Sequence, residues 1–106
     1  MRDYNIEKLY SEEPYCTILS TLKSGRKNAI KKRELVRITG LNERAFRRSI
    51  ETLRRAGKCI ISDAVGYYYP ENKREIERYI RRVERTAKSH FYTLRAAKNA
   101  LREFEE

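Results

Sequence analysis

The chain has 106 residues, with 25 Lys and Arg against 15 Asp and Glu, a net charge of +10 and an apolar fraction of 40%. By length this is one domain, with enough apolar residues for a small core but not for a core plus a deep substrate pocket. No run nears the ~18 apolar residues of a membrane span, and two cysteines with one histidine supply neither a four-ligand zinc site nor a disulfide framework.

The opening stretch, MRDYNIEKLYSEE, is polar and acidic rather than signal-peptide-like. Residues 1–10 are expected to add a helical turn through Tyr4, Ile6, Leu9 and Tyr10. A helix is then expected over 11–22, because Tyr15, Ile18, Leu19 and Leu22 fall on one stripe. Ser11 is its expected N-cap, with Pro14 tolerated in the first turn. Residues 23–28 read as a loop around Gly25, and Ala29-Ile30 as a short strand.

A second helix is predicted over 32–39, with Leu35, Val36 and Ile38 apolar, ended by Gly40 in a left-handed conformation. Asn42 then caps a third helix whose buried stripe is Phe46, Ile50 and Leu53, and Gly57 stops it. At 100° per residue, the face opposite Phe46 holds Arg44, Arg48, Glu51 and Arg55, flanked by Arg47 and Arg54. Residues 59–62 and 67–69, joined by Asp63-Ala64-Val65-Gly66, read as a tight β-hairpin closed by Pro70. Cys16 and Cys59 are expected to be buried thiols, and two of Tyr67, Tyr68 and Tyr69 to be structural.

A long last helix is expected over 72–106, opened by a capping-box-like Asn72 and Glu75. Its seam carries Ile76, Tyr79, Ile80, Val83, Ala87, His90, Phe91, Leu94, Ala97, Leu101 and Phe104. The seam spans roughly 45 Å at 1.5 Å rise per residue, more than a small domain covers. Part of it is therefore expected to meet another chain, as in a coiled coil, or else to bend back over the N-terminal segment. The domains read as 1–70 and 71–106, the latter a dimerisation or packing arm.

The charge is unevenly placed. Residues 1–22 carry a net of −2 and residues 59–106 a net of +2. Residues 23–58 hold thirteen basic and three acidic side chains, an excess of +10. This excess sits in a periodic segment rather than a tail, so it reads as a basic surface on folded elements suited to a polyanion.

The run Glu34-Leu35-Val36-Arg37-Ile38-Thr39-Gly40-Leu41-Asn42-Glu43-Arg44-Ala45-Phe46-Arg47-Arg48-Ser49-Ile50, followed by Leu53, Gly57, Ser62-Asp63 and Gly66-Tyr67-Tyr68, resembles the winged helix-turn-helix of the biotin-repressor N-terminal type. More narrowly it is similar to small DNA-binding proteins of prophages and mobile elements of Gram-positive bacteria. The similarity covers about residues 15–95. It implies a mainly α fold with a small β-hairpin wing, followed by the long C-terminal helix. Two departures stand out: Lys31-Lys32 replace a Ser or Thr cap on the second helix, and the hairpin turn has no cation to grip DNA.

By position in such a motif, Glu43, Arg44, Arg47 and Arg48 would reach base edges in the major groove. Lys23, Arg26, Lys27, Lys31, Lys32, Arg33 and Arg55 would contact phosphates. The expected function is sequence-specific binding of double-stranded DNA, as a transcriptional regulator or phage or mobile-element accessory factor in the bacterial cytosol or nucleoid. A homodimer through the C-terminal helix, packed on Ile76, Tyr79, Ile80, Val83, Ala87, Phe91, Leu94, Leu101 and Phe104, would set two reading helices roughly 34 Å apart on a palindromic site. The alternatives are a protein-interaction module and an RNA-binding protein that uses the same cations and exposed tyrosines. No enzyme activity, metal or cofactor is expected, because one His and no phosphate-cradling Gly loop leave no assembled chemistry.

Overall fold

Local spacing and caps settle most of the helices. The computed structural model describes residues 5–105. In chain order these form α1 (Ile6–Leu9), α2 (Tyr15–Thr21), a 3₁₀ turn (Arg26–Asn28), α3 (Lys32–Thr39), α4 (Glu43–Arg55), β1 (Ile61–Asp63), β2 (Gly66–Tyr68) and α5 (Lys73–Phe104). The chain is mainly helical, with one small antiparallel hairpin and a long C-terminal helix. It divides into two compact units, one up to Glu75 and one from Ile76 onward.

In the first unit, Asn5 caps α1, its Oδ1 accepting from the N–H groups of Glu7 at 3.0 Å and Lys8 at 3.4 Å. Leu9 is buried, Tyr10 is exposed, and Tyr4 lies outside the described residues. Ser11 does not cap the next helix. Its hydroxyl donates back to Lys8 O at 2.9 Å, and α2 starts four residues later. Glu13 takes over, accepting from the Thr17 N–H at 3.2 Å and from its hydroxyl at 2.6 Å. These Thr17 bonds hold the Glu13 carboxyl below its ordinary value. Pro14, at the N-cap, has no N–H to satisfy. Ile18, Leu19 and Leu22 are buried as the stripe requires.

The segment 23–30 is not a loop plus a strand. The 3₁₀ turn takes its middle out of extended geometry, leaving single bridges Ser24↔Tyr69 and Ile30↔Tyr67. Ile30 N donates to Tyr67 O at 3.0 Å and Tyr67 N to Ile30 O at 2.8 Å. Gly25 N donates to Tyr69 O at 2.8 Å and Tyr69 N to Lys23 O at 2.9 Å. On the other side β2 pairs with β1 in the register Ile61↔Tyr68, Ser62↔Tyr67 and Asp63↔Gly66.

The hairpin's first strand begins at Ile61, two residues later than the β-branched run suggests. Cys59 therefore sits in the connector after α4 and is exposed, while Cys16 is half-buried; neither is the buried thiol expected. Ile60, just ahead of the strand, is fully buried with Phe46, Ile18, Leu35 and Leu53. Each such side chain contributes roughly 1.5–3 kcal/mol by leaving water. Tyr67 and Tyr68 of β2 and Tyr69 just after it are all engaged. The Tyr67 ring meets Phe46 edge-on at 5.3 Å, the buried Tyr68 donates to Asp63 at 2.8 Å, and Tyr69 donates to Leu19 O at 2.5 Å.

α5 begins within the first unit and is the one element of the second among the described residues. Asn72 Oδ1 accepts from Glu75 N at 3.0 Å, as a cap should. Glu75 reaches back one residue further than in a capping box, accepting from Glu71 N at 2.8 Å. None of the residues from 76 to 105 is buried in the single chain. No helix of the described residues is long and apolar enough to cross a membrane.

Gly40 and Gly66 both have positive φ, 73° and 134°. A Cβ at Gly40 meets nothing within 4 Å, whereas at Gly66 it falls on the Ile30 carbonyl. Gly40→Ala is expected to cost about 1–2 kcal/mol for the left-handed backbone alone. Gly66→Ala must also part β2 from Ile30, so its thermal midpoint by circular dichroism falls further; equal losses contradict the packing described.

Burial pushes the Tyr68 hydroxyl up to about 12, with its bond to Asp63 adding to the effect, and burial likewise pushes Tyr69 up to about 12. The folded chain thus holds both phenolic protons more tightly than the unfolded chain. Their contribution is complete below the ordinary value of 10 and disappears as pH rises through about 12. Replacing both with Phe should flatten the fall of stability in that interval, read by denaturant titration at a series of pH values.

Candidate nucleic-acid interface

The basic segment depends on how α3 and α4 are held. Thr39 Oγ1 donates to Leu35 O at 2.8 Å, Gly40 N donates to Val36 O at 2.9 Å, and Leu41 folds onto the core. Asn42 Oδ1 accepts from Ala45 N at 2.8 Å and opens α4. Phe46, Ser49, Ile50 and Leu53 bury one side of α4. A helix anchored this way has a fixed rotation, so its arginine face points outward by necessity. Arg44, Arg47, Arg48, Glu51 and Arg55 are all exposed.

A single ion pair links the beginnings of the two helices. Lys32 Nζ lies 3.4 Å from Glu43 Oε2, which sets the first turn of α3 beside that of α4. Lys31 occupies the N-cap of α3 without any side-chain cap bond, so the first N–H groups of the helix have no side chain across them. A shallow groove of about 460 Å³ opens between this end and the hairpin, lined by Lys31, Lys32, Asp63 and Tyr67 among others.

The cations of residues 23–58 divide into two groups. Seven have partners within the fold. Arg26 Nε bonds Asp63 at 3.1 Å, Lys32 bonds Glu43, and Arg55 bonds Glu51 at 2.7 Å. Arg47 sits 4.0 Å from Glu43, and Arg37 pairs with Glu34, whose carboxyl it holds below the ordinary value with help from Arg33. Lys58 lies over the Tyr69 ring at 4.7 Å and donates to the Tyr10 hydroxyl at 3.2 Å. Arg54 bonds Ile60 O at 2.9 Å and Ser62 Oγ at 3.1 Å. The other six, Lys23, Lys27, Lys31, Arg33, Arg44 and Arg48, form no ion pair among the described residues and are exposed.

Of the residues expected at base edges, Arg44 and Arg48 are therefore unpaired, and Glu43 and Arg47 are tied to neighbours. Of those expected at phosphates, Lys23, Lys27, Lys31 and Arg33 are unpaired. Arg26, Lys32 and Arg55 already hold a carboxylate, and the Arg26 N–H also donates to Glu75 at 3.0 Å. No group of three or more metal-ligating side chains occurs among the described residues.

Two residues with a large part in this arrangement are not evident from sequence. Asp63 accepts from Arg26, from Tyr68 and, at 2.9 Å, from Val65 N. Burial pushes its carboxyl up, but these three donors outweigh burial and leave it below its ordinary value. Only the Val65 bond, within the turn, has a local signature. Arg54 reads in sequence as one more arginine flanking the basic face; the sole hint to its role is its place just before the Gly57 turn.

Comparison with protein-family models, with curated proteins and with solved structures finds no match to this chain.

Arg54→Ala removes two bonds that fasten α4 to the hairpin and should lower unfolding stability by about 1–3 kcal/mol. Arg48→Ala, on the free face, should stay within about 0.5 kcal/mol of the parent. Urea titration of both variants checks the contrast, and a reversed order overturns this division of the cations.

Proposed function

We propose that this chain binds double-stranded DNA as a winged helix-turn-helix, with α4 as the reading helix and the hairpin as a small wing. The observation that carries this reading is the position of the six unpaired cations. Two lie on the outward face of a helix whose other face is locked into the core, three lie along the segment leading into α3, and Arg33 lies in its first turn. The fold gives each of the other seven basic side chains in this region a partner, so general solubility does not account for leaving these six. An α-helix fits the ~12 Å major groove, and cations on the preceding segment would then meet phosphates.

In this reading Arg44 and Arg48 reach base edges, each able to bond guanine O6 and N7 together. Arg47 and Glu43 hold one another and orient the first turns. Lys23, Lys27, Lys31 and Arg33 supply affinity that does not depend on sequence, and Lys32, Arg26 and Arg55 join them by exchanging a carboxylate for a phosphate. The hairpin turn offers Ala64 and Val65, so it approaches DNA without a cation. The protein acts by binding rather than catalysis, as a regulator or mobile-element accessory factor in a bacterial cytosol or nucleoid. The RNA alternative drew on exposed tyrosines; with all three engaged in the fold, that reading retains only the cations.

Fluorescence anisotropy with a DNA pool, followed by selection of bound fragments, tests the proposal. Arg44→Ala and Arg48→Ala should each weaken the selected site by roughly 5- to 150-fold, the equivalent of about 1–3 kcal/mol, and leave bulk DNA much less affected. Lys27→Ala and Lys31→Ala should weaken all sequences alike and reduce the salt slope by about 0.9 for each phosphate lost. No binding to long duplex at low salt defeats the reading.

A further inference from the structure

The exposed face of α5 has a repeat that distinguishes one kind of partner from another. From Ile76 the seam steps by four, three, four and three residues through Ile80, Val83, Ala87 and His90. The same alternation continues through Leu94, Ala97, Leu101 and Phe104 without a break. This is a strict period of 3.5. A straight α-helix would drift about 20° per heptad from it, so the seam stays in line only if the helix supercoils about another helix. Along this line the apolar side chains are exposed, from Ile76 at 37% to Phe104 at 87%.

Charge identifies the other helix. In this frame the two rows flanking the seam differ sharply. One row holds Tyr79, Thr86, Thr93 and Ala100 and has no charge. The other holds Glu77, Glu84, Phe91, Lys98 and Glu105, with acid in its first half and a lysine in its second. The remaining cations from Ile76 onward, such as Arg81, Arg85, Lys88 and Arg95, all fall on the outer positions, away from seam and flanks. Apart from Lys98, the helix from Ile76 onward has thus kept its positive charge off the stripe where a second copy would be repelled.

We infer that α5 pairs with α5 of a second copy of this chain in antiparallel orientation. Parallel helices set each flanking row against the other kind of row, so every charge would face a neutral residue. Antiparallel helices set like rows together, and Glu77 then faces Lys98 of the second copy at both ends of the pair. The seam from Ile76 to Leu101 agrees with this register. Ile76 stacks opposite Leu101, Ile80 opposite Ala97, Val83 opposite Leu94, and Ala87 opposite His90, so each alanine meets a larger side chain. Parallel pairing would put alanine on alanine at two layers and His90 on His90. The inference draws on α5 alone and holds whether or not α4 binds DNA.

The full chain tests it without nucleic acid. Sedimentation equilibrium should give a dimer. A chain with Cys16→Ser, Cys59→Ser and a spin-labelled Arg102→Cys should give a label separation of roughly 40 Å at 1.5 Å rise per residue; parallel helices, 8–10 Å apart, would hold the labels within about 25 Å. Lys98→Glu should weaken the dimer about five- to tenfold, two exposed ion pairs becoming repulsions, and adding Glu77→Lys should restore it. Circular dichroism confirms that each variant keeps its helix. A monomer at every concentration, a short label distance, or a Lys98→Glu chain that dimerises as well as the parent each overturns the inference.

Discussion

The N-terminal unit is registered by one short aromatic strand. Tyr67 is bonded on one side to Ile30 and paired on the other with Ser62, so both edges of a three-residue strand are occupied. That arrangement fixes the segment 23–30 against the hairpin, and with it the point at which α3 begins. The side chains extend the same control. Tyr67 packs on Phe46 of α4, Tyr69 bonds the Leu19 carbonyl in α2, and Tyr68 bonds Asp63 at the turn. Three consecutive residues thus reach three elements, as the alternation of a strand allows. Gly66 is what lets the strand come so close to Ile30, since any Cβ would stand in the place of that carbonyl.

A chain with a net charge of +10 must fold against its own repulsion. The ion pairs described here do little for that as energy, because exposed pairs are worth about 0–1 kcal/mol each. Stability comes from the apolar cluster around Phe46 and Leu53. What the pairs settle is position. Lys32 with Glu43 aligns two first turns, and Arg26 with Asp63 holds the 3₁₀ turn to the hairpin. The cations left over after this local matching are the ones whose location needs a reason outside the fold.

The stretch from α3 through Gly40 to α4 was legible in the sequence because everything that shapes it is near in the chain. Leu35, Phe46, Ile50 and Leu53 set the period, Gly40 ends one helix, and Asn42 starts the next. The start of α2 was less so, because Ser11 and Glu13 compete for neighbouring backbone donors and Pro14 removes one of them. The edges of the hairpin and the fate of Ala29 depended on pairing across some forty residues, which local propensity does not encode. For the same reason the cysteines were misplaced: Cys59 looks like strand interior until Ile61 is seen to begin the strand. In the candidate interface, the outward face of α4 could be read from rotation alone. Which of its arginines are already held could not, since that rests on distances such as Arg55 to Glu51 and Arg54 to Ile60.

The middle of the chain and its C-terminal stretch place their charge differently. Within residues 23–58 the positive excess of +10 is concentrated, and folding turns part of it outward. From residue 59 onward it is nearly balanced at +2, and α5 moves its cations to the side away from its apolar seam. Had the excess been spread evenly, lysine and arginine would border the apolar seam of α5, and the positive field over the α4 face would be weaker. Separating the two along the chain removes that conflict.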